Sequence, residues 1–190
     1  REQLTLNTSL LSLDTSRNYI DGDINWRSGE LDLGIRHQEL PLAVLPAWLP
    51  WPQLLDSFTG IWTGKSNLTG YWKRPQITTD SHFIGQWFEA PIDIAIITKP
   101  VTDSDWTIEK FQAQWLGGYW QYQGDFRPYQ LELDGFAQVD DLHARHLPLL
   151  SGQILGQERR LPEALDVQFG ADMDIRGRLT APVLSGEARA

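Results

Sequence analysis

The sequence contains no cysteine and a single methionine among its 190 residues. Without cysteine there is no disulfide, no thiolate zinc site and no cysteine nucleophile. Lys and Arg number 16 against 25 Asp and Glu, the net charge is −9, and no basic cluster occurs anywhere. Because binding to phosphate backbones needs clustered Lys and Arg, we expect no nucleic-acid partner.

A starting methionine, a signal peptide and an apolar run long enough to span a membrane are also lacking. We therefore expect the chain to be a segment of a longer protein, with any membrane anchor outside it. The composition adds nine tryptophans, a surplus for a chain of this size. Aromatic residues favour strands, which explains several of them, but Trp also suits the rim of an apolar groove or a sugar-stacking platform.

Alternation of apolar and polar residues is the dominant local pattern, and each predicted strand has one apolar and one polar face. The longest such run extends from Val167 to Ile175. In the stretch that begins with Trp106 and Ile108 the alternation is interrupted. The next apolar residue is Phe111, one position later than strict alternation would place it, and the alternation continues from there in the other phase. Sustained helical periodicity is nearly absent. The pattern predicts an all-β protein with little helix.

Turn-forming residues separate these runs at hairpin spacing. Between residues 41 and 55 four prolines exclude a long helix, so that stretch is predicted to form one or two helical turns. The predicted turns and loops are at residues 20–23, 27–29, 100–105, 117–118, 123–125 and 134–135.

The chain repeats itself at a constant offset of 107 residues. Identities and apolar positions both recur at this offset, which predicts one continuous repeating β domain with repeats at about 1–107 and 108–190 and no second domain. A repeat that extends a sheet along an axis favours a long folded sheet, with apolar faces lining a trough, over a closed sandwich. The recurring positions are Leu40-Pro41-Leu42 with 147–149, Leu54 with Leu161, Phe58 with Leu165, Trp62 with Phe169, Leu68 with Ile175, Gly70 with Gly177, and Pro75 with Pro182.

None of the reactive side chains forms a recognisable catalytic or metal site. The segment from Gly60 to Ser66 resembles a phosphate-binding loop but has one residue too few and continues as strand. His143 and His146, three residues apart, would point to opposite faces of a strand. The acids Asp172 and Asp174 share a polar face, where solvated carboxylates normally lie. We therefore expect no enzyme activity, no metal and no cofactor.

Two segments, 60–77 and 174–186, share a spacing of an apolar residue, one residue, Gly, four residues, Pro, one residue and another apolar residue. This spacing resembles the repeats of the TamB family, within the AsmA-like group of bacterial envelope proteins. The resemblance implies an elongated, curved β-sheet folded lengthwise into a taco-shaped groove with an apolar concave face. It also implies a periplasmic segment of an inner-membrane-anchored protein that reaches towards an outer-membrane partner of the Omp85 type.

Two roles follow from the resemblance: shielding phospholipid acyl chains during transport between the membranes, and assisting the assembly of outer-membrane β-barrels. The first is our leading hypothesis. The second would act through edge strands that pair with nascent barrel strands, and those edges also predict self-association of this segment. A Trp-rich carbohydrate-binding β-sandwich is a further alternative. From the alternation we nominate as groove-lining residues Leu31, Leu33, Trp62, Leu68, Ile92, Ile94, Ile96, Leu131, Leu133, Val167, Phe169, Met173 and Ile175.

Overall fold

The fold was described from a computed structural model, which covers residues 3–13, 16–41, 58–102, 105–127, 130–143, 146, 167–178 and 181–189. These residues form eleven β-strands and no α-helix. The helical turns predicted between residues 41 and 55 fall largely outside the described residues, as do Leu54 and the repeat positions 147–149 and 161–165. The strands are β1 (Gln3–Leu13), β2 (Ser16–Asn25), β3 (Glu30–Pro41), β4 (Phe58–Tyr71), β5 (Arg74–Trp87), β6 (Ala90–Pro100), β7 (Trp106–Trp115), β8 (Gly118–Arg127), β9 (Glu132–His143), β10 (Gln168–Arg178) and β11 (Ala181–Arg189).

The strands form one antiparallel sheet in which each strand pairs with its neighbours in sequence, from β1 at one edge to β11 at the other. The sheet is open and does not close into a barrel, because β1 and β11 are not paired with each other. Ten interstrand steps of about 4.8 Å make it roughly 50 Å across. The predicted all-β class and the single elongated sheet are confirmed.

One face of this sheet carries a continuous row of apolar residues over nine strands, from β3 to β11. Residues directly opposite each other on paired strands share a face, so the register traces the face from strand to strand. Starting from Phe83 of β5, the partners on either side are Trp62 of β4 and Ile94 of β6. The complete row is Leu40, Trp62, Phe83, Ile94, Ala113, Trp120, Val139 and Ala171, ending at Ala188 on β11.

Burial shows that the sheet is curved towards this face. A flat single-layer sheet leaves both faces open to water, yet burial alternates along these strands and the buried positions fall on the apolar side. Phe83, Ile92, Val139 and Leu142 belong to one cluster of buried side chains on that side. We call it the concave face, and the opposite one the outer face.

β-Bulges keep the concave face apolar where strict alternation would fail. In β7 the register shifts between Ile108 and Phe111, so that both residues lie on the concave face although they are three positions apart. The same happens in β3 between His37 and Leu40. A bulge inserts one extra residue into a strand, which restores the phase of the side chains that follow it. The change of phase noted in the sequence at Phe111 is such a bulge.

Three of the predicted turns are wrong. Residues 20–23 lie within β2, 123–125 within β8 and 134–135 within β9. Their glycines serve close approach between strands: Gly124 has a φ of 157° and lies opposite Gly135, and a Cβ on either would overlap the backbone of the other strand. The chain does turn at 27–29 and at 116–117, next to the predicted Gly117-Gly118. Of the loop predicted at 100–105, residues 101, 102 and 105 lie between β6 and β7, whereas Pro100 is the last residue of β6.

The 107-residue offset relates two hairpins of the sheet. Gly70 pairs with Pro75 across the β4–β5 hairpin, and Gly177 pairs with Pro182 across the β10–β11 hairpin. Both glycines have positive φ, 89° and 97° respectively. The residues related by this offset therefore occupy the same position in their respective hairpins and lie on the same face of the sheet. The division into repeats at 1–107 and 108–190 stays a prediction.

Candidate functional site: a charge-free concave face

Within the described strands, the concave face carries no Asp, Glu, Lys or Arg. This follows from the pairing register, which places the charged strand residues on the outer face or at bulges and turns. The chain has 41 such residues in total, 16 basic and 25 acidic, so their exclusion from one face is a strong segregation. A surface of this kind suits apolar ligands and disfavours charged ones, since burying an unpaired charge costs several kcal/mol.

The outer face holds the charges in ordinary ion pairs. Lys99 Nζ lies 2.7 Å from Glu109 Oε1, and Arg189 Nη2 lies 2.8 Å from Asp172 Oδ2. Asp172 is thus engaged by an arginine, as expected of a solvated surface acid. Among the described residues no group of three or more His, Asp or Glu side chains could hold a metal ion. The described residues also include no helix long and apolar enough to cross a membrane.

Eleven of the thirteen nominated groove residues lie on the concave face, and two do not belong to a strand. Leu131 is in the turn before β9, with a φ of 54°, and Val167 precedes β10 and is exposed. In each case the alternating pattern of the sequence continues one residue past the end of the strand, and periodicity alone does not show where the strand ends. Their role as lining residues, like that of the other eleven, stays a prediction. The eleven are Leu31, Leu33, Trp62, Leu68, Ile92, Ile94, Ile96, Leu133, Phe169, Met173 and Ile175.

Aromatic side chains stack along one end of the concave face. Phe58 stacks on Trp87 with ring centroids 4.7 Å apart, Trp87 stacks on Trp115 at 4.3 Å, and Trp120 lies 6.0 Å further along. Each buried indole N–H needs an acceptor. Trp115 Nε1 donates to the carbonyl oxygen of Trp87 at 3.3 Å, and Trp120 Nε1 donates to that of Trp115 at 3.0 Å. The stack therefore presents apolar ring surface, while the indole N–H groups of Trp115 and Trp120 are satisfied by backbone carbonyls.

The tryptophans divide between packing on the concave face and the turns. Trp26 and Trp72 pack edge to face at the opposite end of the sheet and are exposed. Trp48 and Trp51 lie outside the described residues. The remaining five are on the concave face, namely Trp62, Trp87, Trp106, Trp115 and Trp120.

Buried polar residues also lie on the concave face. On β2, Asn18, which is opposite His37, donates a hydrogen bond from Nδ2 to Ser16 Oγ at 3.1 Å. The others form what we call the hydroxyl cluster: His37, Ser66, Thr79, Ser81 and Thr98, on strands β3 to β6. All five are buried. Ser66 Oγ lies 3.2 Å from His37 Nε2 and 2.9 Å from Thr79 Oγ1, which in turn lies 2.7 Å from Ser81 Oγ. Thr98 accepts a hydrogen bond from the backbone N–H of Thr79 and donates to the carbonyl oxygen of Ile77. Small side chains here also suit the inner side of a bent sheet.

The hydrogen bonds of this cluster leave one atom without a partner. Thr79 donates to the carbonyl oxygen of Lys65, so Ser66 donates either to Thr79 or to His37. In both arrangements the second ring nitrogen of His37, Nδ1, is buried and has no partner among the described residues. His37 is only 4% exposed, and desolvation by burial lowers its pKa from the ordinary value of 6.5. His37 is therefore held neutral.

The Ser66–His37 contact does not have the form of an activated nucleophile. In serine hydrolases a carboxylate orients the base through its second nitrogen, whereas Nδ1 of His37 faces no carboxylate within the described structure. Ser66 Oγ is also shared with Thr79. The cluster is a hydrogen-bonding region, and it gives no support to hydrolytic chemistry.

Spaced sequence motifs do not reveal this cluster, because its members come from four strands and meet only through the pairing register. A signal was nevertheless present. Ser66 of β4, together with Thr79 and Ser81 of β5, occupies positions that the alternation assigns to the apolar face. Polar residues at consecutive apolar positions on neighbouring strands indicate a shared polar site on the buried face.

No family model matches this chain, and neither the curated proteins nor the solved structures contain a match. The site must therefore be interpreted from its own geometry.

Proposed function

We propose that this chain is a segment of a groove-forming envelope protein that shields phospholipid acyl chains as they move between the inner and outer membranes. The observation that carries the proposal is the concave face, which is mainly apolar and has no charged residue in any of the eleven described strands. This is the function expected from the resemblance to the TamB family, in a periplasmic segment of an inner-membrane-anchored protein with an Omp85-type partner. It assigns the chain no catalytic activity.

The energetics favour a continuous surface over a single binding pocket. Each methylene group withdrawn from water contributes about 0.8 kcal/mol, so an acyl chain gains several kcal/mol wherever apolar surface covers it. Rows such as Trp62, Phe83 and Ile94 continue from strand to strand without an intervening charge. A chain moving across the strands would exchange one apolar contact for the next, and no position within such a row would hold it much more strongly than its neighbours.

The absence of cysteine makes the test specific, because one introduced cysteine is the only thiol. Ile94→Cys places it on the concave face and Ile84→Cys places it on the outer face, where Ile84 is 50% exposed. Each variant is coupled to a benzophenone maleimide, incubated with dioleoylphosphatidylcholine vesicles and irradiated. We expect phospholipid adducts from position 94 and few from position 84.

A second matched pair repeats the comparison on neighbouring strands. Phe169→Cys lies on the concave face of β10 and Phe136→Cys on the outer face of β9. Adducts that form equally from both faces, or mainly from Phe136 and Ile84, would show that the concave face does not bind acyl chains. The same labelled proteins, irradiated with a soluble oligosaccharide in place of vesicles, test the carbohydrate-binding alternative.

A second candidate, a scaffold for β-barrel assembly, draws on the two edges of the sheet. Within the described residues β1 pairs only with β2, and β11 only with β10. β11 is exposed over almost its whole length, including Val183 and Leu184. Unpaired edge strands accept further strands from other chains. Crosslinks from Val183→Cys to unfolded outer-membrane proteins, with no lipid adducts from Ile94→Cys, would favour this function, and crosslinks between two copies would show self-association.

A further inference from the structure

Nδ1 of His37 is the one ring nitrogen of the hydroxyl cluster without a partner among the described residues, and it lies on a mainly apolar face, where Asn18 of β2 is the buried polar residue opposite His37. Buried polar atoms in folded proteins nearly always have a hydrogen-bond partner, so a solitary one calls for an explanation such as a ligand atom. Leaving such a group unpaired costs about 1–3 kcal/mol. A ligand oxygen placed at Nδ1 would recover that cost.

We propose that the hydroxyl cluster is a binding site for the carbonyl or carboxyl oxygen of an acyl lipid, with His37 Nδ1 as the atom that receives it. The inference rests on the proposed function and adds to it a fixed point on the groove: the hydrocarbon tail lies on apolar rows while the oxygen-bearing end pairs with the imidazole.

The chemistry of the cluster favours an uncharged or singly charged oxygen over a larger polar headgroup. Ser66, Thr79 and Ser81 hydrogen-bond one another and the backbone, which orders the imidazole through Nε2 and leaves Nδ1 as the free position. With a hydrogen on Nδ1, the neutral ring donates to an oxygen acceptor. No Lys or Arg of the described concave face could neutralise a phosphate, so the site selects for the acyl end of a lipid.

Binding requires one side chain to move. The ring of Trp62 packs on the imidazole with centroids 4.8 Å apart, and Nδ1 is closed off from solvent. Trp62 is half-buried on the neighbouring strand β4, so rotation of its side chain would open the imidazole to the groove. The lipid tail would then lie against the displaced indole.

The test follows His37 directly by NMR in protein labelled with ¹⁵N at histidine, with His37→Gln used to assign its resonances among the four histidines. The probes are oleate, dioleoylphosphatidylcholine and 1-octadecene, which has the hydrocarbon chain without oxygen. We expect the Nδ1 resonance of His37 to shift with the first two probes and to stay in place with 1-octadecene. A shift with oleate alone would identify a free carboxylate as the ligand, and a shift with the phospholipid would identify an ester.

Affinity provides the second measurement, with His82→Gln as the matched control because His82 lies on the outer face. Loss of one hydrogen bond predicts that His37→Leu binds oleate about tenfold more weakly than the parent, whereas His82→Gln binds as the parent does. Probes that bind with the His37 resonance and the His37→Leu affinity unchanged would overturn this inference and leave the groove function standing. Failure of all three probes to bind would overturn both.

Discussion

Trp87 and Trp115 stack at 4.3 Å, and the indole N–H of Trp115 donates a hydrogen bond to the backbone carbonyl of Trp87. The two residues are on strands β5 and β7, which are not adjacent, so the contact spans β6. Such a reach across an intervening strand requires the sheet to bend towards the face that carries both rings. The pair thus links the aromatic stack to the curvature on which the groove depends.

Removing that link is expected to destabilise the fold. Trp115→Ala deletes a side chain that is 4% exposed and should lower the free energy of unfolding by about 3–5 kcal/mol. Trp72→Ala, at an exposed turn position, should cost roughly 1 kcal/mol or less. Urea unfolding followed by circular dichroism measures both. Equal losses for the two variants would mean that the stack makes no special contribution.

Close backbone approach between β4 and β5 depends on a pair of facing glycines. Gly60 lies opposite Gly85, and a Cβ on Gly85 would overlap the carbonyl oxygen of Thr59. Gly85→Ala should therefore force the hairpin apart and destabilise the protein by about 1–3 kcal/mol. The control is Gly34→Ala, whose Cβ would meet only the movable carboxylate of Asp21. Thermal unfolding should show a clearly lower midpoint for Gly85→Ala than for Gly34→Ala.

Acid should destabilise the fold through His37. Burial lowers its pKa in the folded state below the ordinary 6.5 of the unfolded chain, so between those two values the unfolded state binds more protons. The contribution of His37 to stability is therefore complete above pH 6.5 and diminishes as the pH falls through the interval between the two pKa values. Comparison of unfolding midpoints at pH 7.5 and 5 should show a larger decrease for the parent than for His37→Gln. A parent and His37→Gln that respond alike would contradict the assignment.

A charge on the concave face should abolish acyl binding where the same charge on the outer face does not. Ile94→Lys introduces an ammonium group among Phe83 and Ala113, its cross-strand neighbours, whereas Ile84→Lys points into solvent. We expect 1-octadecene, which has no charge that could pair with the ammonium group, to bind at least about tenfold more weakly to Ile94→Lys, because the unpaired charge must be desolvated. Binding is measured by calorimetry on variants shown by circular dichroism to be folded. Equal affinities would place the ligand elsewhere.

How far the sequence predicts this fold can be judged from particular strands. Where alternation is uninterrupted, as from Phe169 to Ile175, the strand and its apolar side follow from periodicity. The prediction failed at Gly22, Gly124 and Gly135, because glycine serves both tight turns and close packing between strands. Only the identity of the residue opposite distinguishes these two uses, and that residue is distant in sequence.

Two properties were determined by the sequence alone: the segregation of charge from one side of each strand, and the change of phase before Phe111. Both are local, since a side chain's face depends on its position along its own strand. Tertiary structure decided the rest. It brought His37 to Ser66 across 29 residues, set Trp115 against Trp87, and joined the concave sides of eleven strands into one surface without charge. These arrangements depend on pairing register and bending, which arise from contacts between strands and have no counterpart within any single strand.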